Sequence, residues 1–421
     1  VGSLEYHIRG GNRLSGSIPV SGAKNSTIVV IPATILVGGK VVLDNVPNVG
    51  DVWTICEILE EMGASFSYLP GTNRLELDTS ALDKVEAPYH LVRKMRASFC
   101  TLGPLLARFR RARVPLPGGC NLGVRAVDQH ILGLEALGAK IEIQHGEVIA
   151  SADKLVGARF AFNQPRVTAT ENLMMAAVLA EGGTVLDNCA EEPEVVDVAD
   201  FLNACGAHIE GQGAKTIKIE GVKELHPVGY RIIPDRIEAG TFMIAIAATK
   251  GDATLVGARL DHMAIVGDKL REIGARIEQV DAGVRVALDG VPKPTMIDTL
   301  PYPGFPTDLG PQMAAFLSLA EGTSIIEENI FESRFSHVNE LNRMGAKISV
   351  RGTSIIVEGV RKLTGAPVTA HDIRAGAALV VAGLAADNDT VIEGVENIQR
   401  GYENLVSKLT GAGAMISQVV L

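Results

Sequence analysis

The chain has 421 residues, 47% of them hydrophobic and 21% charged, with a formal net charge of −10. That length suits two domains better than one core, and the composition is globular, without a bias to disorder. The acidic balance opposes nonspecific nucleic-acid binding, aromatics at 4% offer few stacking platforms for single strands, and no apolar run reaches the ~20 residues that span a bilayer.

In chain order, Ser21-Gly22-Ala23-Lys24-Asn25-Ser26 opens the first long helix. Backbone N–H groups at a helix start, with a lysine beside them, form a ready anion site. A Gly turn and a short alternating strand follow at 38–46 (GGKVVLDNV), then an amphipathic helix at 51–62 that ends in Gly63-Ala64 and runs into another strand. That closing phrase returns at Gly138, Gly206, Gly274, Gly345 and Gly413, at spacings of 68 to 75 residues. Glycine just past a helix enters the left-handed conformation cheaply, so the phrase is a helix stop. Six copies at a nearly constant period describe a repeated α/β unit. The turn and strand recur at 182–190, 250–258, 321–329 and 387–395, and near-continuously apolar helices are predicted over 96–107, 170–180, 236–248, 308–320 and 372–386. The expectation is an α/β protein of βαββαβ units, three in each of two domains, with strands outside and helices within.

The second repeat departs from the pattern. Residues 110–131 (RRARVPLPGGCNLGVRAVDQHI) stand where the others carry one turn and one strand, and their Pro-Gly-Gly run predicts an exposed loop. Cys120 lies in it, with Arg110, Arg111, Arg113 and Arg125 close in sequence, the electropositive setting a reactive thiol needs. Cys56, Cys100, Cys189 and Cys205 fall in helical or strand patterns and are expected in the core. Five scattered cysteines without a C-x-x-C suit a reducing cytoplasm. Asp308 precedes an apolar helix, as do Asp235 and Asp372, and N-capping explains all three equally well. Arg96, Arg166, Arg334, Arg374 and Arg400 punctuate similar turns; singly each reads as a surface salt bridge, together as a set for a substrate with several negative charges. No metal-ligand spacing, Walker loop or dinucleotide fingerprint is present, so no cofactor is expected.

The segments S-G-A-K-N at 21–25, M-R-A-S at 95–98, P-L-P-G-G-C-x-L-G-x-R-x-V-D at 115–128, E-P-E-V-V-D at 192–197, P-D-R-I-E-x-G-T at 234–241, F-P-T-D at 305–308, F-E-S-R-F-x-H-V at 331–338 and R-G-Y-E at 400–403 are together similar to one family. The chain resembles, over essentially its whole length, the enolpyruvyl transferases that act on UDP-N-acetylglucosamine. The relatives that make 5-enolpyruvylshikimate 3-phosphate share fold and reaction type but lack the cysteine loop. The resemblance implies two inside-out α/β barrel domains, one discontinuous over 1–23 and 234–421, the other over 24–233.

It also implies two small-molecule substrates, phosphoenolpyruvate and UDP-N-acetylglucosamine, and no nucleic-acid or membrane partner. Cys120 and Asp308 resemble the family's proton donor and acid/base residue. Lys24, Arg125 and Arg400 would neutralise phosphate, with Arg96, Arg334 and Arg374 near substrate anions, and Asn25 would orient the ketal or the sugar. Arg125, Ala126, Val127, Asp128 and Gln129 would grip the uridine end, Gln164, Arg166, Val167 and Thr168 the diphosphate, and Ile330 would contribute its backbone. Where many family members place a lysine in the diphosphate segment this chain has Gln164, with Arg166 two residues on. Cys120, where some members carry Asp, implies covalent inhibition by fosfomycin.

Overall fold

The computed structural model describes residues 4–69, 71–117 and 127–421. The chain divides into a discontinuous unit, Val1–Ser21 with Pro234–Leu421, and a continuous one, Gly22–Ile233. The first division falls two residues before the expected one, because Gly22 and Ala23 belong with the continuous unit: the Ala23 N–H donates to the Ile233 carbonyl at 2.7 Å.

The six Gly-Ala phrases all end helices, and the six glycines have φ between 86° and 120°. In each copy the alanine N–H bonds back to a leucine carbonyl five residues earlier: Ala64 to Leu59, Ala139 to Leu134, Ala207 to Leu202, Ala275 to Leu270, Ala346 to Leu341 and Ala414 to Leu409, at 2.9 to 3.1 Å. This is the Schellman closure, which satisfies a carbonyl the helix leaves open. All six leucines are fully buried, so one residue both anchors the helix to the core and accepts its final bond. The period is thus Leu-x-x-x-Gly-Ala, and the leucine is the part that reading the glycines alone had missed.

Among the described residues there are three sheets in each unit. Five share one strand order, as in Gly229–Arg231, Lys40–Asp44, Arg74–Asp78 and Ser65–Leu69, where the first pair is parallel and the rest antiparallel. The strands alternate buried and exposed positions, so each sheet turns one face inward. Two of the sheets in the discontinuous unit are completed by the start of the chain. Leu4–Arg9 pairs with Asp389–Glu393 and Met415–Val420, and Ser15–Pro19 runs parallel to Asp252–Val256. That pairing is why the unit is discontinuous.

The apolar helices lie inside. Every residue of Ile237–Ala248 is buried within the helix Arg236–Ala248, and all of Arg374–Leu384 within Ile373–Ala385. These two pack with Gly310–Leu317 in the discontinuous unit, while Lys24–Ala33, Leu102–Phe109 and Val167–Ala177 are the buried helices of the continuous one. Each unit has its own apolar core.

The second repeat is the exception in structure too, although not as expected throughout. Arg111–Pro115 is a strand paired with Glu147–Ser151, not loop, and a helix begins at Asp128. Its sheet has three strands, the parallel neighbour being reduced to a single bridge between Glu86 and Arg113. Cys120, Arg125 and Ala126 lie outside the described residues.

Candidate active site

The three aspartates that looked alike in sequence behave differently. Asp235 accepts the N–H groups of Ile237 and Glu238, and Asp372 those of Arg374 and Ala375, so both are ordinary caps. Asp308 sits in the short 3-10 turn Thr307–Leu309 and caps neither that turn nor the helix after it. Its Oδ1 accepts from Arg334 Nη1 at 2.7 Å and its Oδ2 from Arg374 Nη2 at 2.6 Å. The arginine side chains are each only 9% exposed, so neither is the surface salt bridge that each reads as singly in the sequence. Burial is the largest single influence on Arg374 and would lower its pKa, but Asp308, Tyr402 and Asp235 together outweigh it and hold the pKa above its ordinary value.

A second layer fixes this triad. Arg334 Nη1 also donates to Thr307 Oγ1 at 2.9 Å, and Thr307 donates in turn to Glu328 Oε2 at 2.8 Å. The other Glu328 oxygen accepts the N–H groups of Ile330 and Phe331 at 2.9 and 3.0 Å, which ties the backbone at Ile330 to the same network. Arg374 Nη1 reaches the Tyr402 hydroxyl at 3.5 Å, and that hydroxyl lies 2.9 Å from Thr241 Oγ1. Arg400 stands two residues before Tyr402, half-buried at the C-terminal end of the helix Val395–Gln399.

In the continuous unit, Lys24 is the first residue of the helix Lys24–Ala33 and is buried, its ammonium 3.1 Å from Asp51 Oδ2. The residue before it is alanine, which has no side-chain oxygen to cap the helix, so its first N–H groups and Lys24 present positive charge together. Asn25 follows, half-buried. Asp51 carries no motif signal in the sequence beyond an acidic residue in a first helical turn.

The proposed uridine and diphosphate segments meet through Gln129. Its Oε1 accepts the Asn163 N–H at 2.9 Å and its Nε2 lies 3.4 Å from Asp128 Oδ2. Arg166 Nη2 donates to Gln164 Oε1 at 3.1 Å, so these two side chains hold each other. Val127 precedes the helix Asp128–Ala136, while Val167 and Thr168 begin Val167–Ala177. Arg96, at the start of the turn Arg96–Thr101, is near enough for its charge to depress the pKa of buried His130. Among the described residues no group of His, Cys, Asp and Glu could hold a metal ion.

The family model of EPSP synthase (3-phosphoshikimate 1-carboxyvinyltransferase) matches residues 8–409. The chain belongs to the EPSP synthase family. Within it, the chain is 50% identical over 417 residues to a UDP-N-acetylglucosamine 1-carboxyvinyltransferase 2 of Carboxydothermus hydrogenoformans, covering 99% of each. It is 50% identical over 413 residues to a UDP-N-acetylglucosamine 1-carboxyvinyltransferase of Geobacter metallireducens, covering 98% of each. Among solved structures, the enolpyruvyl transferase NikO of Streptomyces tendae superposes over the full length of both chains at 27% identity and a TM-score of 0.88. An EPSP synthase of Acinetobacter baumannii, 18% identical, covers 99% of this chain and all of its own with a TM-score of 0.76 and shares the fold.

Proposed function

We propose that this family member transfers the enolpyruvyl group of phosphoenolpyruvate to the 3′-hydroxyl of UDP-N-acetylglucosamine with release of phosphate, the opening step of peptidoglycan synthesis. The observation that carries the reading is the aspartate that caps nothing: Asp308 is held at both oxygens by buried arginines, an arrangement helix stability does not require. Relatives of 50% identity over nearly their whole length carry this activity in their names.

The chemistry accounts for the residue types. The sugar hydroxyl adds through oxygen to C2 of phosphoenolpyruvate while a proton goes to C3, giving a tetrahedral ketal. Loss of a proton from C3 and of phosphate from C2 then restores the C2–C3 double bond, now as the enol ether of the sugar. The hydroxyl becomes acidic only as its oxygen bonds to C2, so its proton must be taken during that step, the role assigned to Asp308. Cys120 supplies the C3 proton and can itself add to phosphoenolpyruvate. Lys24, Arg125 and Arg400 stabilise the phosphate as it takes charge, with Asn25 orienting the ketal. A guanidinium has five donors, so Arg334 keeps several after its bonds to Asp308 and Thr307. Arg374 serves best by fixing Asp308, since it is buried and bonds to Asp308 and Tyr402.

Residues 125–129 would grip the uridine end and 164–168 the diphosphate, with Arg96 near the substrate anions and Ile330 contributing its backbone. Fosfomycin would alkylate Cys120; the four described cysteines are free and buried, and we place the enzyme in the cytoplasm. No helix among the described residues is long and apolar enough to cross a membrane.

Phosphate release from phosphoenolpyruvate, with and without UDP-N-acetylglucosamine, tests this for the wild type and Cys120→Ala. Sugar-dependent release that the substitution severely reduces is expected. Release with shikimate 3-phosphate but not with the UDP-sugar would overturn the choice of acceptor, and release with neither would overturn the activity.

A further inference from the structure

A buried polar chain in the continuous unit has a direction that its geometry dictates. The backbone N–H of Gly103 donates to Asn172 Oδ1 at 2.7 Å. The two backbones are close here: a Cβ on Gly103 would lie 2.3 Å from the Asn172 carbonyl oxygen. With its oxygen engaged, the Asn172 amide turns its NH2 to His130 Nδ1 at 3.0 Å. An NH2 only donates, so Nδ1 accepts and carries no proton. The proton of the neutral ring is therefore on Nε2, which lies 3.4 Å from Thr168 Oγ1. Thr168 accepts that proton's hydrogen bond and keeps its own hydroxyl hydrogen for a second partner.

The alternatives fail on donor count. Flipping the Asn172 amide would set its NH2 against the Gly103 N–H. Moving the ring proton to Nδ1, or charging the ring, would set an N–H against the Asn172 NH2. Either leaves two buried donors face to face. Burial, with Arg96 nearby, pushes the His130 pKa down to about 3, which agrees with a neutral ring.

Thr168 itself is exposed, in the first turn of the helix Val167–Ala177, where the backbone N–H groups already favour an anion. We propose that His130 is a positioning residue that fixes the Thr168 hydroxyl as a hydrogen-bond donor toward the diphosphate of the sugar nucleotide. This rests on the reading that residues 164–168 meet the diphosphate. It gives the segment an oriented neutral donor beside Arg166 and Gln164.

The test is steady-state kinetics on Thr168→Val, His130→Phe and the double variant, with KM determined separately for UDP-N-acetylglucosamine and phosphoenolpyruvate. Losing a bond to a charged group is expected to raise KM for the sugar nucleotide about tenfold in Thr168→Val. His130→Phe should show a similar rise, with the double variant no worse than Thr168→Val alone and with KM for phosphoenolpyruvate and kcat within about twofold of wild type. A His130→Phe effect that adds fully to that of Thr168→Val would overturn the relay, as would an unchanged His130→Phe beside an impaired Thr168→Val. A wild-type KM in Thr168→Val would instead remove the diphosphate reading of the segment. His130→Phe leaves the Asn172 NH2 without its acceptor and risks the fold, so the wild-type ring is observed as well. In ¹H–¹⁵N correlation spectra of histidine-labelled protein at pH 7 its proton is expected on Nε2, and a proton on Nδ1 would overturn the proposal.

Discussion

Replacing Asp308 by asparagine separates the two tasks its carboxylate holds. Asparagine keeps the volume and one acceptor oxygen but loses the charge that faces Arg334 and Arg374. Removing one partner of a buried ion pair costs about 3–5 kcal/mol when the remaining charge is left bare. Here Asp308 is 22% exposed, and the arginines keep Thr307 Oγ1 at 2.9 Å and Tyr402 Oη at 3.5 Å as acceptors. Those contacts bring the cost down to about 2 kcal/mol. For a cooperative unit of roughly 200 residues that lowers Tm by about 4–8 °C. The catalytic loss is separate: a general base is worth about 10²–10⁴ in rate. The assay is phosphate release at saturating substrates at 25 °C, beside calorimetry of the same sample. A variant that melts lower as expected, yet keeps kcat within about threefold of wild type, would refute the base and leave Asp308 a counter-ion for two arginines.

His337 is fully buried in the helix Ser336–Arg343, and neither ring nitrogen has a hydrogen-bond partner among the described residues. Burial lowers its pKa to about 4, against the pull of Asp372 and with the help of Arg334. As pH falls from about 6.5 to about 4 the unfolded chain takes a proton that the folded one refuses, so stability should drop by up to about 3 kcal/mol. Urea midpoints across that window should flatten in His337→Leu, and an unchanged slope would count against the assignment. Gly345→Ala places a side chain at φ 86° with Thr364 Oγ1 no nearer than 3.5 Å, so the cost of about 1–2 kcal/mol is backbone strain alone. An equal urea midpoint for the variant would show that the closure tolerates other geometry. Cys56, Cys100, Cys189 and Cys205 are buried, and burial raises each thiol pKa, to about 12 for Cys189 and Cys205. Intact-mass analysis after fosfomycin with UDP-sugar should therefore find one adduct, on Cys120, and adducts on the others only in denaturant.

The repeats were legible because their signals are local. A glycine at positive φ, an alanine N–H returning five residues to a buried leucine, and a strand at once afterwards are all contained within about ten residues of chain, so six copies announce themselves. The buried central helices were equally visible, since residues such as 237–248 offer no polar face to water. The caps Asp235 and Asp372 also belong to this class, because each bonds to N–H groups two and three residues ahead.

The site was legible only as residue types in a familiar order. By its local sequence Asp308 reads as a cap, and what makes it otherwise are Arg334 and Arg374, 26 and 66 residues away. Asp51 beside Lys24, and Asn172 beside His130, had no signal at all, since their partners lie 27 and 42 residues distant. The sequence by itself determined the helix stops, the repeat count and most of the helices that lie inside, though not Lys24–Ala33, because each depends on backbone conformation and on burying a contiguous apolar surface. Tertiary structure alone decided which oxygen faces which nitrogen, and with it whether an acid caps a helix or stands ready for a proton. A hydrogen bond needs its atoms within about 3 Å, and for residues far apart in sequence only the packing of the repeats sets that distance.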